Sequence, residues 1–122
     1  MGLQSIFSMA LLDLNHLKNI VGDDPNYLKQ VLEIFTRNAP KDMEALADAA
    51  SKGSHDQVGF YAHKLKSAAG AIGYNSAYED FKRLEKMAKD MAPLEEINTL
   101  VGTMANDCAA CMVDIDRIMS EL

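Results

Sequence analysis

The 122-residue sequence contains no tryptophan, only four tyrosines and four phenylalanines, two cysteines and three prolines. So few large aromatics argue against a β-sandwich, whose strands are enriched in them. Basic residues are also in deficit: twelve lysines and arginines against eighteen aspartates and glutamates give a net charge of −6. That balance excludes the usual nucleic-acid-binding domain with its basic excess, and no polybasic tail offsets it. No uninterrupted apolar run approaches the roughly 20 residues of a membrane span. No basic residue precedes Leu3, Ile6, Phe7, Met9, Leu11 and Leu12, so the N-terminal stretch does not read as a signal peptide. Residues 1–12 read instead as a first helix or an N-terminal arm, with Met9 as an alternative start after an added leader. Cys108 and Cys111 form a lone CxxC without the further ligands a zinc site needs. Thioredoxin-type pairs sit at a strand-to-helix junction, whereas this pair lies inside a helical pattern. It reads as two small core residues in a reducing compartment, with a redox-active helix as the weaker alternative.

What is present favours helix. Alanine, leucine, methionine, lysine and glutamate dominate, and 48% hydrophobic content in a chain of this length makes one domain, residues 1–122. Asp13 is placed to cap a short helix carrying Leu14, Leu17, Ile20 and Val21, stopped by Gly22. Asp24 before Pro25 is an N-cap followed by proline at the first helical position. From Leu28 to Ala50 the apolar period is helical up to Gly53, and Pro40 is expected to bend or split this run. Ser54 to Gln57 and Ser76 to Glu79 both read as capping boxes, with a turn at residues 73–75 between their helices. Pro93 opens a last segment whose Leu94, Ile97, Val101, Met104, Cys108, Cys111, Ile115, Ile118 and Leu122 alternate spacings of three and four, a seam for an antiparallel neighbour. The expected fold is all-α: an antiparallel up-down-up-down four-helix bundle with a short additional N-terminal helix across one end.

The informative histidine is His63. On a helical wheel Val58, Tyr61, Ala62, Leu65, Ala69 and Ile72 form one narrow stripe, and His63 lies more than about 90° from its centre. It shares its face with Gly59, Lys66, Ser67 and Gly70. Glycine inside a helix costs about 1 kcal/mol against alanine, so two of them beside one histidine suggest a bare surface for close approach by a second protein. Lys66 at i+3 would repel a metal cation and favour an anion, and no carboxylate or imidazole stands at i+3 or i+4 to make a metal site. A phosphoryl group on the imidazole is the anion that fits, with Lys66 steadying its oxygens. Lys64, Lys82, Lys86 and Lys89 add a basic strip to an acidic chain, suited to steering an acidic partner; the alternative for each is an ordinary solvated residue. No glycine-rich nucleotide site is present, so no autokinase activity is expected.

The run from Ala62 to Gly73, AHKLKSAAGAIG, resembles the signature of histidine-containing phosphotransfer domains, in which the histidine is followed by an apolar residue at +2, lysine at +3 and glycine at +7. The likeness extends to Leu14–Leu17, Val21–Pro25, Phe35, Ala39–Pro40 and Leu84–Glu85, covering the chain from about Asp13 onward. It implies a phosphorelay intermediate, of the size of single-domain bacterial phosphotransferases. His63 would accept a phosphoryl group from the receiver-domain aspartate of a hybrid sensor kinase and pass it to that of a response regulator. It further implies Lys66 as the phosphoryl-stabilising lysine, Lys64 as a secondary basic contact, Gly70 as the close-approach site and Glu85 as a group orienting the imidazole where many members have glutamine. With the helix face and the basic strip, Gly59, Phe60, Ser67, Lys82 and Lys86 complete the expected partner-binding surface. Ser67 departs from the glycine most members carry. No cofactor would be bound by the chain itself, with Mg²⁺ on the partner receiver, no nucleic acid or membrane partner, a monomeric state and a cytoplasmic location. The competing reading is a helical adaptor or scaffold with an incidental surface histidine.

Overall fold

The computed structural model describes Leu12 and residues 14–122, and the expectations for residues 1–11 and for the Asp13 cap lie outside them. Five helices are present among the described residues and no strand: α1 (Leu14–Val21), α2 (Pro25–Ser51), α3 (His55–Ala71), α4 (Asn75–Lys89) and α5 (Leu94–Glu121). The apolar period of each long helix turns inward, and Leu28, Leu32, Leu46, Val58, Leu65, Leu84, Ile97, Met104, Ile115 and Ile118 are almost fully buried in one core. Each of the four long helices packs against two others, α3 against α2 and α4, and α5 against α2 and α4. The α1 helix packs on α2 and reaches the α3–α4 turn, where a Cβ on Gly73 would come within 2.7 Å of both His16 Cδ2 and Ile20 Cδ1. No helix among the described residues is long and apolar enough to cross a membrane.

The helix ends show which local signals operate. Asp24 is extended and its carboxylate accepts the Asn26 N–H at 3.0 Å, with Pro25 at the first turn as expected. The 27-residue α2 runs through Pro40 without splitting. Ser54 caps α3 by accepting the Gln57 N–H at 3.3 Å, but its own N–H goes to Ala49 O at 3.0 Å. The expected return bond from the Gln57 side chain is therefore replaced by the C-terminal turn of the preceding helix. The Ser76–Glu79 capping box is corrected: Tyr74, 4% exposed, is drawn into the core, and its carbonyl already accepts from the Tyr78 N–H at 3.0 Å. Helix α4 thus opens at Asn75, no side chain caps it from Tyr74, and Ser76 lies inside its first turn. In the α5 seam Leu94 is exposed rather than buried, and Asp114 is buried although polar.

Three successive helices end in the same paired turn, in which two N–H groups bond back to carbonyls three and five residues earlier. Gly53 and Gly73 occupy its left-handed position at φ 75° and 72°, but at the third, after α4, Met91 stands at φ 57°. A side chain there works against the backbone, whose left-handed state costs an ordinary residue about 1–2 kcal/mol. Met91 is 66% exposed and so recovers little by packing. Met91→Gly is expected to stabilise the fold by about 0.5–1 kcal/mol after the extra entropy of a glycine chain is discounted. Thermal unfolding would show this as a rise of about 2–4 °C, and a lower melting temperature would contradict it.

Cys111 is fully buried and Cys108 half-buried, which supports their reading as packing residues. Burial pushes the Cys111 thiol up from 9.0 to about 12 and raises Cys108 as well. A thiol whose ionisation is suppressed only in the fold contributes stability below its unfolded value, and this is lost as pH rises toward the folded one. The melting temperature is expected to fall between pH 9.0 and about 12, less steeply in Cys111→Ala. Equal slopes for the two proteins would show that Cys111 ionises as freely folded as unfolded.

Candidate functional site

Helix α3 is held by Val58, Ala62, Leu65, Ala69 and Ile72, all buried, and this orientation turns His63 outward with 60% of its side chain exposed. Helix α4 is held in the same way by Ala77, Phe81, Leu84 and Ala88, so that Glu85, one residue beyond Leu84, emerges beside His63. The two helices approach closely through small residues. A Cβ on Gly59 would meet Ala88 Cβ at 3.6 Å, and one on Gly70 would lie 3.3 Å from the Tyr78 ring. Gly70 thus serves the α3–α4 contact inside the chain, whereas a Cβ at Gly59 would make only an ordinary contact with α4. Both glycines are half-buried, and the close approach found at Gly70 is to Tyr78 of the neighbouring helix.

Three side chains converge at this seam. Glu85 Oε2 lies 3.0 Å from His63 Nδ1, and Glu85 Oε1 lies 2.8 Å from Lys66 Nζ. The Lys66 hydrogen bond is the larger of the influences holding the Glu85 carboxyl below the usual carboxylate range, and the same contact raises Lys66. A carboxylate can only accept, so Nδ1–H donates to it and Nε2 keeps the lone pair, on the side of the ring away from Glu85. The arrangement is an oriented imidazole with a nucleophilic nitrogen at the surface and an ammonium one turn along the helix. It can form a bond to an electrophilic phosphorus, and it can neutralise charge beside that bond.

The remaining residues predicted for the site divide into groups. Lys64 turns toward α2, with Nζ 3.2 Å from Asp42 Oδ1 and 5.9 Å from the centroids of both Phe60 and Tyr61. Phe60 is 59% exposed and stands edge-on to Tyr61 at 5.1 Å, placing an apolar surface one turn before His63. Ser67 is exposed one turn after it, and Lys82 is exposed on α4. Lys86 pairs with Asp90 at 2.8 Å, so part of the basic strip is neutralised locally. Asp42, which fixes Lys64, was not singled out from the sequence; a carboxylate 22 residues away carries no local signal. Among the described residues no group of three His, Cys, Asp or Glu side chains could hold a metal ion.

The family model of the Hpt domain matches residues 30–117, which include His63, Lys66 and Glu85 and take in α3 and α4 whole. No curated protein and no solved structure matches the chain. With most of its length matched and an exposed, oriented histidine on an all-helical scaffold, the chain belongs to the Hpt domain family, whose members carry histidine phosphotransfer in phosphorelays through contacts with receiver domains.

Proposed function

We propose that His63 Nε2 accepts a phosphoryl group from the receiver aspartate of a hybrid sensor kinase and delivers it to the receiver aspartate of a response regulator. The observation that carries this reading is the convergence of His63, Lys66 and Glu85 at the α3–α4 seam, with Nδ1 at 3.0 Å from Glu85 and the ring exposed. In the accepting step the Nε2 lone pair forms a P–N bond while the acyl phosphate P–O bond breaks, its electron pair leaving on the aspartate. Passing the group on reverses these roles. Glu85 holds the proton on Nδ1 throughout, and Lys66 meets the phosphoryl oxygens, so the barrier is lowered by orientation and charge rather than by a general base. Mg²⁺ is supplied by the receiver.

The receiver would sit on the face carrying Phe60, Lys64 and Ser67, flanked by Gly59, Gly70, Lys82 and Lys86. Phe60 would supply the apolar contact and the lysines the attraction to an acidic receiver cleft. The short connections between the long helices suit an up-down-up-down bundle; on this reading the carrier acts as a monomer in the bacterial cytoplasm. The test is to mix the protein with a phosphorylated receiver and Mg²⁺ and measure acid-labile, alkali-stable phosphate on the chain. Labelling within seconds supports the proposal, and a chain that takes no phosphate from any receiver would favour a helical adaptor.

A further inference from the structure

Resting on that reading of His63, the seam geometry raises the question of what Lys66 must give up when a phosphoryl group arrives. Lys66 is 19% exposed in its side chain, and its Nζ sits 2.8 Å from one Glu85 oxygen while His63 Nδ1 lies 3.0 Å from the other. One carboxylate therefore takes both groups. A phosphoryl group on Nε2 brings close to two negative charges beside a carboxylate that is already ionised. The nearby lysines with resolved partners do not relieve this, since Lys64 is held by Asp42 and Lys86 by Asp90. Among the described residues Lys66 is the cation paired with Glu85, and a phosphoryl group on His63 would draw on it as well.

We propose that Glu85 and the phosphoryl group compete for Lys66, so that phosphorylation of His63 breaks the Lys66–Glu85 pair and the chain holds its phosphoryl group more loosely than it would with a neutral residue at position 85. Glu85 is then a positioning residue with two opposed effects. It orients the ring for attack, and it withholds the cation that would retain the product. Such a site favours passing the group on over storing it.

The experiment uses phosphoramidate, a small P–N donor, so that no receiver need be identified. Nε2 attacks phosphorus, the donor P–N bond breaks and ammonia departs with the bonding pair. At a fixed ratio of phosphoramidate to ammonia, the equilibrium phosphohistidine occupancy is measured for the wild type, Glu85→Gln, Lys66→Met and the double variant, with His63→Gln as the blank. Glutamine still offers Nδ1–H an acceptor oxygen but does not bind Lys66 as a counter-ion. The phosphorylated-to-free ratio is expected to rise by about threefold or more in Glu85→Gln, and Lys66→Met to lower that ratio more in the Glu85→Gln background than in the wild type. If Lys66→Met has the same proportional effect in both backgrounds, Glu85 acts through the ring alone and the competition is refuted. Wild-type protein that labels no better than His63→Gln would overturn the phosphoacceptor reading itself, a result distinct from additive effects on a protein that labels.

Discussion

Replacing His63 with glutamine is expected to lower transfer from a phosphorylated receiver by about three orders of magnitude or more, leaving no acid-labile phosphate on the chain. The amide is similar in reach to the imidazole and can still hydrogen-bond to Glu85, so local packing is retained. Its nitrogen lone pair, however, is delocalised into the carbonyl and cannot attack phosphorus. The chain has three histidines, and the other two are poorly placed to substitute. His55 Nε2 is 2.9 Å from Ala92 O at the start of α3, and His16 Nε2 faces Asn75 Nδ2 at 3.2 Å; both residues are half-buried. Circular dichroism should be unchanged in the variant, because His63 lies outside the buried face of α3. Labelling that survives the substitution would move the phosphoacceptor elsewhere and remove the function assigned to the α3–α4 seam.

His63 is legible in the sequence because of helix geometry. The buried stripe of α3 is dense and regular, so the residues off the stripe are set by a period of 3.6 and a surface position could be read directly. Asp24 and Ser54 were legible for the same local reason, each bonding to a backbone group two or three residues away. The failures involve groups that answer to distant parts of the chain. Tyr74 displaced the expected Ser76 cap because the core takes its ring, and nothing in residues 73–79 reports that core. No local signal shows that Gly70 lies against the Tyr78 ring of the next helix, since that contact is set by how α3 packs on α4. The turn at Met91 had no glycine to mark it, since the left-handed position was filled by a residue that tolerates it at a cost. Glu85 is a mixed case: its position came through the family likeness, but its sharing between His63 and Lys66 depends on how α3 and α4 sit side by side.

Asp114 is the most consequential of the residues that escaped the sequence, and removing its carboxylate is expected to cost about 2–3 kcal/mol of stability. It lies in the α5 seam with 6% exposure, between the buried Cys111 and Ile115 and facing the chain's N-terminal side. Its Oδ2 accepts the backbone N–H of Leu12 at 2.7 Å across 102 residues of sequence, and its Oδ1 accepts from Arg117 Nη2 at 2.6 Å and Nε at 3.2 Å. Leu12 is itself 5% exposed and belongs to the core, so its N–H has no access to bulk water if the carboxylate is lost. In Asp114→Ala that donor is left buried and unpaired, a methyl group replaces the carboxylate, and the anchor that seats Leu12 against α5 disappears. The Arg117 pair adds little to this cost, because the guanidinium is largely solvated. Asp114→Asn keeps an acceptor oxygen for the Leu12 N–H and is expected to fall between the two. For a domain of this size the alanine variant should melt about 6–12 °C lower, and amide exchange at Leu12 should accelerate more than at the middle of α3. A melting temperature within about 2 °C of the wild type would mean that the Leu12 contact contributes nothing, and that α5 buries a charge without need of the N-terminal segment.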